Sequence, residues 1–262
     1  MKTDKKSNNT IIFTDLDGTL LDHDTYSFAA AKSMLNFIRT HNIPLIIVSS
    51  KTKNEILELQ KSLQIFDTFI FENGAGIYIF DQGESKILAL GYDIYKIRKS
   101  FTKYKKKIAI RGFSDMSLQE IIKLTDLSLK KAQAARERHF TEPFIMENKN
   151  QLKILQQMAQ SDGLDVVKGG RFYHLITQGQ DKAKAMEVVK DYYDQKYQKN
   201  FTTIALGDSQ NDLSMLKKAD VPILIPHQDG SYISCEINNL IKAKTPGPSG
   251  WNQALENYFD IL

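Results

Sequence analysis

Five short runs of Ile, Leu, Val and Phe, at residues 11–13, 45–48, 69–71, 203–206 and 221–225, restrict the folds open to this chain more than any other feature. They are apolar without alternation, which is how a strand reads when both faces of its sheet are covered. Amphipathic helical stretches separate several of them. Over residues 27–39, Phe28, Ala31, Leu35 and Ile38 share one face, and Thr52-x-x-Glu55 forms a capping box ahead of Ile56, Leu59 and Leu63. A third helix is predicted from Asp181, carrying Ala185, Val188, Val189 and Tyr192. A fourth is predicted near Ser209-x-x-Asp212, carrying Leu213 and Leu216. Strands alternating with helices in this way predict an α/β fold with a Rossmann-like parallel-sheet core.

The middle of the chain follows another rule. From about residue 88 to 175 it mixes a basic segment, two helical patterns and two short strand-like pieces, without strand-end carboxylates. We read residues 89–175 as an inserted α/β domain, and residues 1–88 and 176–262 as the two halves of one core sheet. Ligands of such sheets sit at the carboxyl ends of the strands. The basic run Lys96, Arg98, Lys99, Lys103, Lys105, Lys106 and Lys107 reads as a solvated helix face.

Composition excludes several classes of function. A net charge of +4 falls short of a nucleic-acid footprint, and no apolar run is long enough to cross a bilayer. After the basic residues 1–6, the apolar stretch is cut short by Thr14-Asp15, which argues against a secretory signal. The lone Cys235 cannot form an internal disulfide and suits a reducing compartment. The expected setting is the cytoplasm, with no membrane or nucleic-acid partner. Whether the protein is a monomer or a dimer stays open.

Directly after the first apolar run stands Asp15-Leu16-Asp17-Gly18-Thr19-Leu20. In an extended chain, side chains at i and i+2 point the same way, so Asp15 and Asp17 are expected to converge on one volume. Their repulsion calls for a cation, a proton or both. Asp-Gly is equally a turn pair. A calcium loop does not fit, because Gly18 is fourth from Asp15 and an EF-hand needs its glycine at the sixth position.

Three further segments carry chemistry. Ser49-Ser50-Lys51-Thr52 offers hydroxyls and free N–H groups at a helix start, suited to phosphate oxygens; Ser49 is the first candidate, while Ser50 and Thr52 are equally helix caps. Lys182 lies in the first turn of a helix, where a cation is disfavoured and an anionic partner is expected. Gly207-Asp208-Ser209-Gln210-Asn211-Asp212 adds Asp208 as a metal ligand and Asp212, with Asn211, as loop support. Strand-end carboxylates at Asp15, Asp17 and Asp208 select Mg²⁺. Zinc is disfavoured, since His23, His41, His139, His174 and His227 show no paired spacing.

Taken in order, Asp15-x-Asp17-Gly18-Thr19, Ser49, Lys182 and Gly207-Asp208-x-x-Asn211-Asp212 resemble the four motifs of the haloacid dehalogenase-like phosphohydrolases. The interval between Ser49 and Lys182 is similar to that of members with a large α/β cap. The segments 13–22, 48–52, 72–78, 141–144 and 169–174 resemble the mannosyl-3-phosphoglycerate phosphatase branch. The resemblance implies a Mg²⁺-dependent phosphoric monoester hydrolase acting on a phosphorylated sugar-glycerate. In it Asp15 is the nucleophile, Asp17 the general acid and base, and Ser49 and Lys182 hold the transferring phosphoryl group. Asp15, the Asp17 main-chain carbonyl and Asp208 hold the metal. Within the cap, Arg171 offers a fork for a carboxylate, Lys168 and His174 stand near it, and Glu142 could accept sugar hydroxyls; Ser50 completes the expected substrate set. The alternatives are a broader sugar phosphatase, a phosphomannomutase-like phosphotransferase, or a non-catalytic metabolite-binding protein.

Overall fold

The structure is a computed structural model and describes residues 7–81, 83–169 and 171–261. The basic residues 1–6 and the second glycine of the 169–174 segment lie outside the described residues. The first part of the chain runs β1 (Thr10–Thr14), α1 (Lys32–Thr40), β2 (Leu45–Val48), α2 (Lys53–Leu63), β3 (Phe69–Phe71), β4 (Gly76–Asp81) and β5 (Glu84–Ala89). The middle runs α3 (Ile94–Lys105), β6 (Ile110–Gly112), α4 (Leu118–Thr125), α5 (Leu129–Arg136), β7 (Glu142–Met146), α6 (Leu152–Ser161), β8 (Leu164–Lys168) and β9 (Tyr173–Thr177). The last part runs α7 (Lys182–Tyr197), β10 (Thr202–Gly207), α8 (Leu213–Lys218), β11 (Val221–Leu224), β12 (Ile241–Lys242) and α9 (Gly247–Phe259).

The first and last parts share a sheet of order β12-β11-β10-β1-β2-β3-β4-β5, parallel from β12 to β3. The unbroken apolar runs are explained by this sheet. Alternate residues of each strand enter different cores: Leu45 and Ile47 pack with Met34 and Leu35 of α1 and Trp251 and Leu255 of α9, whereas Ile46 and Val48 pack with Met186 and Val189 of α7. Both layers are built of buried apolar side chains, and fully burying one such side chain contributes roughly 1.5–3 kcal/mol. Edge position decides the exceptions, since β5 is exposed along its whole length.

Chain order reverses between β1 and β10. From β1 the chain winds outward through β2 and β3, while β10 and β11 build the other half. A crevice opens beyond the strand ends at such a point. Thr14 lies beside Leu206 in the register, and the Asp15 N–H donates to the Leu206 carbonyl at 2.9 Å. The two acidic loops that follow β1 and β10 are therefore neighbours.

The structure adds detail that the pattern did not carry. β3, β4 and β5 pair antiparallel, so the sheet is mixed, and α1 begins at Lys32 after a 3₁₀ turn at Ala29–Ala31. On α7 the buried ring is Tyr193; Tyr192 donates its hydroxyl to Asp81 instead. Among the described residues the middle segment holds four α-helices and a four-stranded antiparallel sheet, β6-β7-β9-β8, against the basic helical segment, two helical patterns and two strand-like pieces expected. β6 has three residues, and α4 and α5 have eight each, too short for their periodicity to register. Residue 175 falls inside β9, which ends at Thr177.

The segments entering and leaving this inserted unit run side by side. Tyr92 N–H donates to the Thr177 hydroxyl at 2.7 Å, and the Gln180 amide donates to the Glu72 carbonyl at 2.8 Å. α5 is also tied to α2, through Thr52 Oγ1 to the Ala134 carbonyl at 2.9 Å and the Lys130–Glu58 ion pair at 2.7 Å.

Candidate active site

Between the core strand ends and the inserted unit lies a cavity of about 250 Å³. Its floor is Asp15, Asp17, Ser49, Ser50, Lys51, Asp208 and Asn211; its far wall includes Phe113, Arg138, Arg171, Phe172 and His174. Asp15 and Asp17 do share this volume, although for another reason than strand alternation. β1 ends at Thr14, and both carboxylates belong to the loop beyond it, which folds back through Leu21 N–H to the Leu16 carbonyl at 2.8 Å.

Asp15 is the buried member. Lys182 Nζ donates to its Oδ1 at 2.6 Å and to Asp212 Oδ1 at 2.5 Å. The anionic partner expected for a lysine at a helix start is thus a pair of carboxylates. Asp212 also accepts the Asp208 and Ser209 N–H groups at 3.2 and 3.0 Å, which closes its own loop. Thr19 Oγ1 reaches Asp208 at 3.1 Å across 189 residues of sequence.

Charge is unbalanced here. Asp15, Asp208 and Asp212 each present an oxygen within 4.8 Å of the others, and Lys182 is the ammonium bonded among them. Burial, then Asp212 and Asp208, pushes the Asp15 carboxyl well above the usual carboxylate range, against the pull of Lys182. Burial and Asp212 push Asp208 up to about 6. Burial opposes the charge of Lys182, but the two carboxylates outweigh it and hold the ammonium above its ordinary range. An oxygen-only, over-acidic buried cluster is suited to a hard divalent cation. Asp212 has both oxygens occupied, so Asp15 and Asp208 are the members with capacity to spare. The Asp17 main-chain carbonyl accepts no hydrogen bond among the described residues.

The Asp17 carboxylate points elsewhere, to Lys51 Nζ at 2.7 Å, while its Oδ1 is buried without a partner. Burial disfavours the Lys51 charge, yet Asp17 and Glu55 hold its pKa up at about 12. Of the hydroxyls beside it, Thr52 proves to be the helix cap, in a full capping box with Glu55. Ser49 stays on the cavity floor, buried, with Oγ accepting from Lys51 N–H at 3.2 Å.

Expected substrate residues from the inserted unit divide. His174 and Arg171 line the cavity. Burial, with Arg138 nearby, drops the His174 imidazole to about 3, so the ring is neutral, and its Nδ1 is buried without a partner. Arg171 donates to the Thr125 carbonyl at 3.0 Å. Lys168 lines a second cavity instead, behind Asn73 and Lys182. Glu142 is a correction. It is wholly buried, accepts Arg98 Nε at 2.9 Å and Ser114 N–H at 2.7 Å, and so holds the inserted unit together rather than facing a sugar.

Three residues escaped the sequence reading. Lys51 was legible only as a neighbour of Ser49. Arg138 carries no motif. Glu72 is fully buried and accepts the His139 and Phe140 N–H groups and the Thr141 hydroxyl at 2.7, 3.0 and 2.7 Å, which pins the inserted unit to the end of β3. Glu72, Asn73 and Gly74 all have positive φ, and Asn73 is a turn residue that also accepts from Asn211 at 3.1 Å. At Gly74, with φ +89°, a Cβ would lie 2.2 Å from the Asp181 carbonyl oxygen. Gly74→Ala must displace the start of α7, and with it Lys182. The expected cost is about 3 kcal/mol or more, a fall of roughly 10 °C in melting temperature, with loss of activity. An unchanged thermal transition would contradict this packing.

Strand order, switch-point crevice and acidic cluster define an α/β hydrolase of the haloacid dehalogenase-like class: the model of that family matches residues 12–226, and the chain belongs to it. Among curated proteins, it is 46% identical over 257 residues to a glucosyl-3-phosphoglycerate/mannosyl-3-phosphoglycerate phosphatase of Persephonella marina, covering 94% of this chain and 95% of that one. A protein of the same description from Methanococcoides burtonii is 38% identical over 261 residues, with the same coverage. A solved structure from Thermoplasma acidophilum superposes with a TM-score of 0.73 at 16% identity, over 97% of this chain and 99% of that one, which bears on the fold alone. No helix among the described residues is long and apolar enough to cross a membrane.

Proposed function

We propose that this protein hydrolyses a phosphorylated sugar-glycerate, mannosyl-3-phosphoglycerate or its glucosyl counterpart, to the sugar-glycerate and phosphate. One observation carries the reading: a buried Asp15 carboxylate on the floor of the cavity, with Lys182 at 2.6 Å and a second carboxylate, Asp17, lining the same cavity. The names of the Persephonella marina and Methanococcoides burtonii relatives supply the substrate class.

Asp15 attacks phosphorus, the ester P–O bond breaks, and the departing alkoxide takes a proton from Asp17. Water then attacks the aspartyl-phosphate with Asp17 accepting its proton, and phosphate leaves with Asp15 restored. Lys182 and Ser49 hold the equatorial oxygens as charge spreads over them. Lys51 must turn from Asp17 toward the incoming anion before Asp17 carries a proton. Mg²⁺ held by Asp15, the Asp17 main-chain carbonyl and Asp208 would supply countercharge between nucleophile and phosphate. Residues 89–175 act as the cap, with Arg171, His174 and Ser50 toward the substrate, and the reaction belongs to the cytoplasm.

A phosphate-release screen tests this. Both sugar-3-phosphoglycerates should be turned over at least ~10-fold more efficiently than simple hexose phosphates, a discrimination of at least about 1.4 kcal/mol, and a chelator should abolish turnover until Mg²⁺ is restored. Equal rates on all esters would reduce the protein to a general sugar phosphatase. An absolute requirement for a bisphosphorylated sugar would make it a phosphomutase.

A further inference from the structure

A 3-phosphoglycerate unit carries its phosphate and its carboxylate at the two ends of three carbons. With the phosphate against Asp15, the carboxylate falls within the same cavity, whose lining includes Ser49, Ser50, Arg138 and Arg171. Of the cations named from the sequence, Lys168 is in the other cavity, and Arg171 is turned to the Thr125 carbonyl, with Asp126 at 3.6 Å. Lys182 is bonded to Asp15 and Asp212, and Lys51, bonded to Asp17, is the cation assigned above to the incoming phosphate. Arg138 differs from all of these. It lines the cavity, and it has no carboxylate partner among the described residues.

We propose that Arg138 is the specificity-determining residue of this site, pairing its free terminal guanidinium nitrogen with a carboxylate that the substrate carries beside the scissile phosphate. This rests on the sugar-glycerate reading given above. Nε donates to the Ala135 carbonyl at 2.9 Å, and one terminal nitrogen donates to the Ser50 carbonyl at 2.7 Å, with the Thr141 hydroxyl at 3.5 Å. These bonds fix the guanidinium plane against the Ser49-Ser50 loop. The second terminal nitrogen has no partner among the described residues and is left for a ligand. A guanidinium so fixed loses little freedom on binding, and it offers a directed, charge-assisted bond. A second observation points the same way: His174, 7% exposed and also lining the cavity, has an Nδ1 with no hydrogen bond. Burial, with the Arg138 charge beside it, keeps that ring neutral. Substrate selection is thus made by a residue from the inserted unit that also grips the core loop.

The test compares kcat/KM for mannosyl-3-phosphoglycerate with that for the same compound bearing a hydroxymethyl group in place of the carboxylate. In the wild-type protein the carboxylate should be preferred. Arg138→Met should cut the ratio of the two by ~100-fold, the size expected when one partner of a desolvated charge pair is removed. Arg138→Lys, which keeps the charge without the fixed guanidinium plane, should recover part of it. If Arg138→Met lowers both substrates in parallel, or leaves the ratio unchanged, Arg138 only braces the Ser50 loop and the proposal fails. Should the wild-type protein turn over neither compound while it hydrolyses other phosphate esters, the sugar-glycerate reading fails, and this inference with it.

Discussion

Asp15→Asn is expected to abolish turnover, by ~10⁴-fold or more in kcat, and at the same time to raise the melting temperature of the metal-free protein. The first effect removes the attacking oxyanion. The second follows from the sign of the electrostatics. Burial and the neighbouring Asp212 and Asp208 hold the Asp15 carboxyl well above its ordinary value, so the folded state binds more protons than the unfolded chain between those two values. Stability is therefore lost as pH rises through that window, and ionisation of the group is a burden on the fold. An asparagine keeps an oxygen for Lys182 and removes the charge. Added Mg²⁺ should reverse the order, raising the wild-type transition more than that of the variant, because ligand binding to the folded state stabilises it. Thermal unfolding at pH 7 with and without Mg²⁺, beside a turnover assay, decides the matter. Full activity in the variant, or a lower melting temperature without metal, would remove Asp15 from its proposed role.

Lys182→Met should be among the most damaging single substitutions in the chain. The ammonium is 1% exposed and lies at 2.6 and 2.5 Å from two carboxylates that are themselves buried. Removing one partner of such a group leaves uncompensated charge in a low-dielectric site, at a cost of about 3–5 kcal/mol. For a chain of this size that is roughly 10 °C in melting temperature, and turnover should vanish with it. Two controls separate electrostatics from packing. Lowering the pH toward 5, where Asp208 with its pKa of about 6 is mostly protonated, should recover part of the loss, and so should Mg²⁺. The double variant Asp15→Asn, Lys182→Met should be more stable than Lys182→Met alone. If neither condition nor the second substitution helps, the defect is one of packing, and the ion cluster is not what holds this corner.

How far the sequence could be read varied from residue to residue. The parallel strands were evident because each is buried on both sides: Leu45, Ile46, Ile47 and Val48 have no exposed position at which a polar residue would break the run. Asp208 and Asp212 were evident as a strand-to-helix junction, and Lys182 by the misfit of a cation at a helix start. Glu142 was misjudged for a physical reason. A charge near a binding segment looks the same whether it faces ligand or a structural partner, and Arg98 and the Ser114 N–H cannot be placed opposite Glu142 from spacing alone. The hairpin of β4 and β5 was missed because β5 lies on an edge, exposed on both sides, where no burial pattern is imposed.

By itself the amino-acid order determined which segments become strands and helices, and which of them end in acids, hydroxyls or a misplaced lysine, since period, caps and turns are written in neighbouring residues. The tertiary structure alone decided partners: that β1 lies beside β10 so that Asp15 meets Asp208, that Asp17 takes Lys51, that Glu72 grips the inserted unit at residues 139–141, and that Arg138 reaches Ser50 from the inserted unit. The physical reason is range. Local preference acts over a few residues, whereas these pairings form only once two hydrophobic layers have brought distant stretches of chain against one sheet.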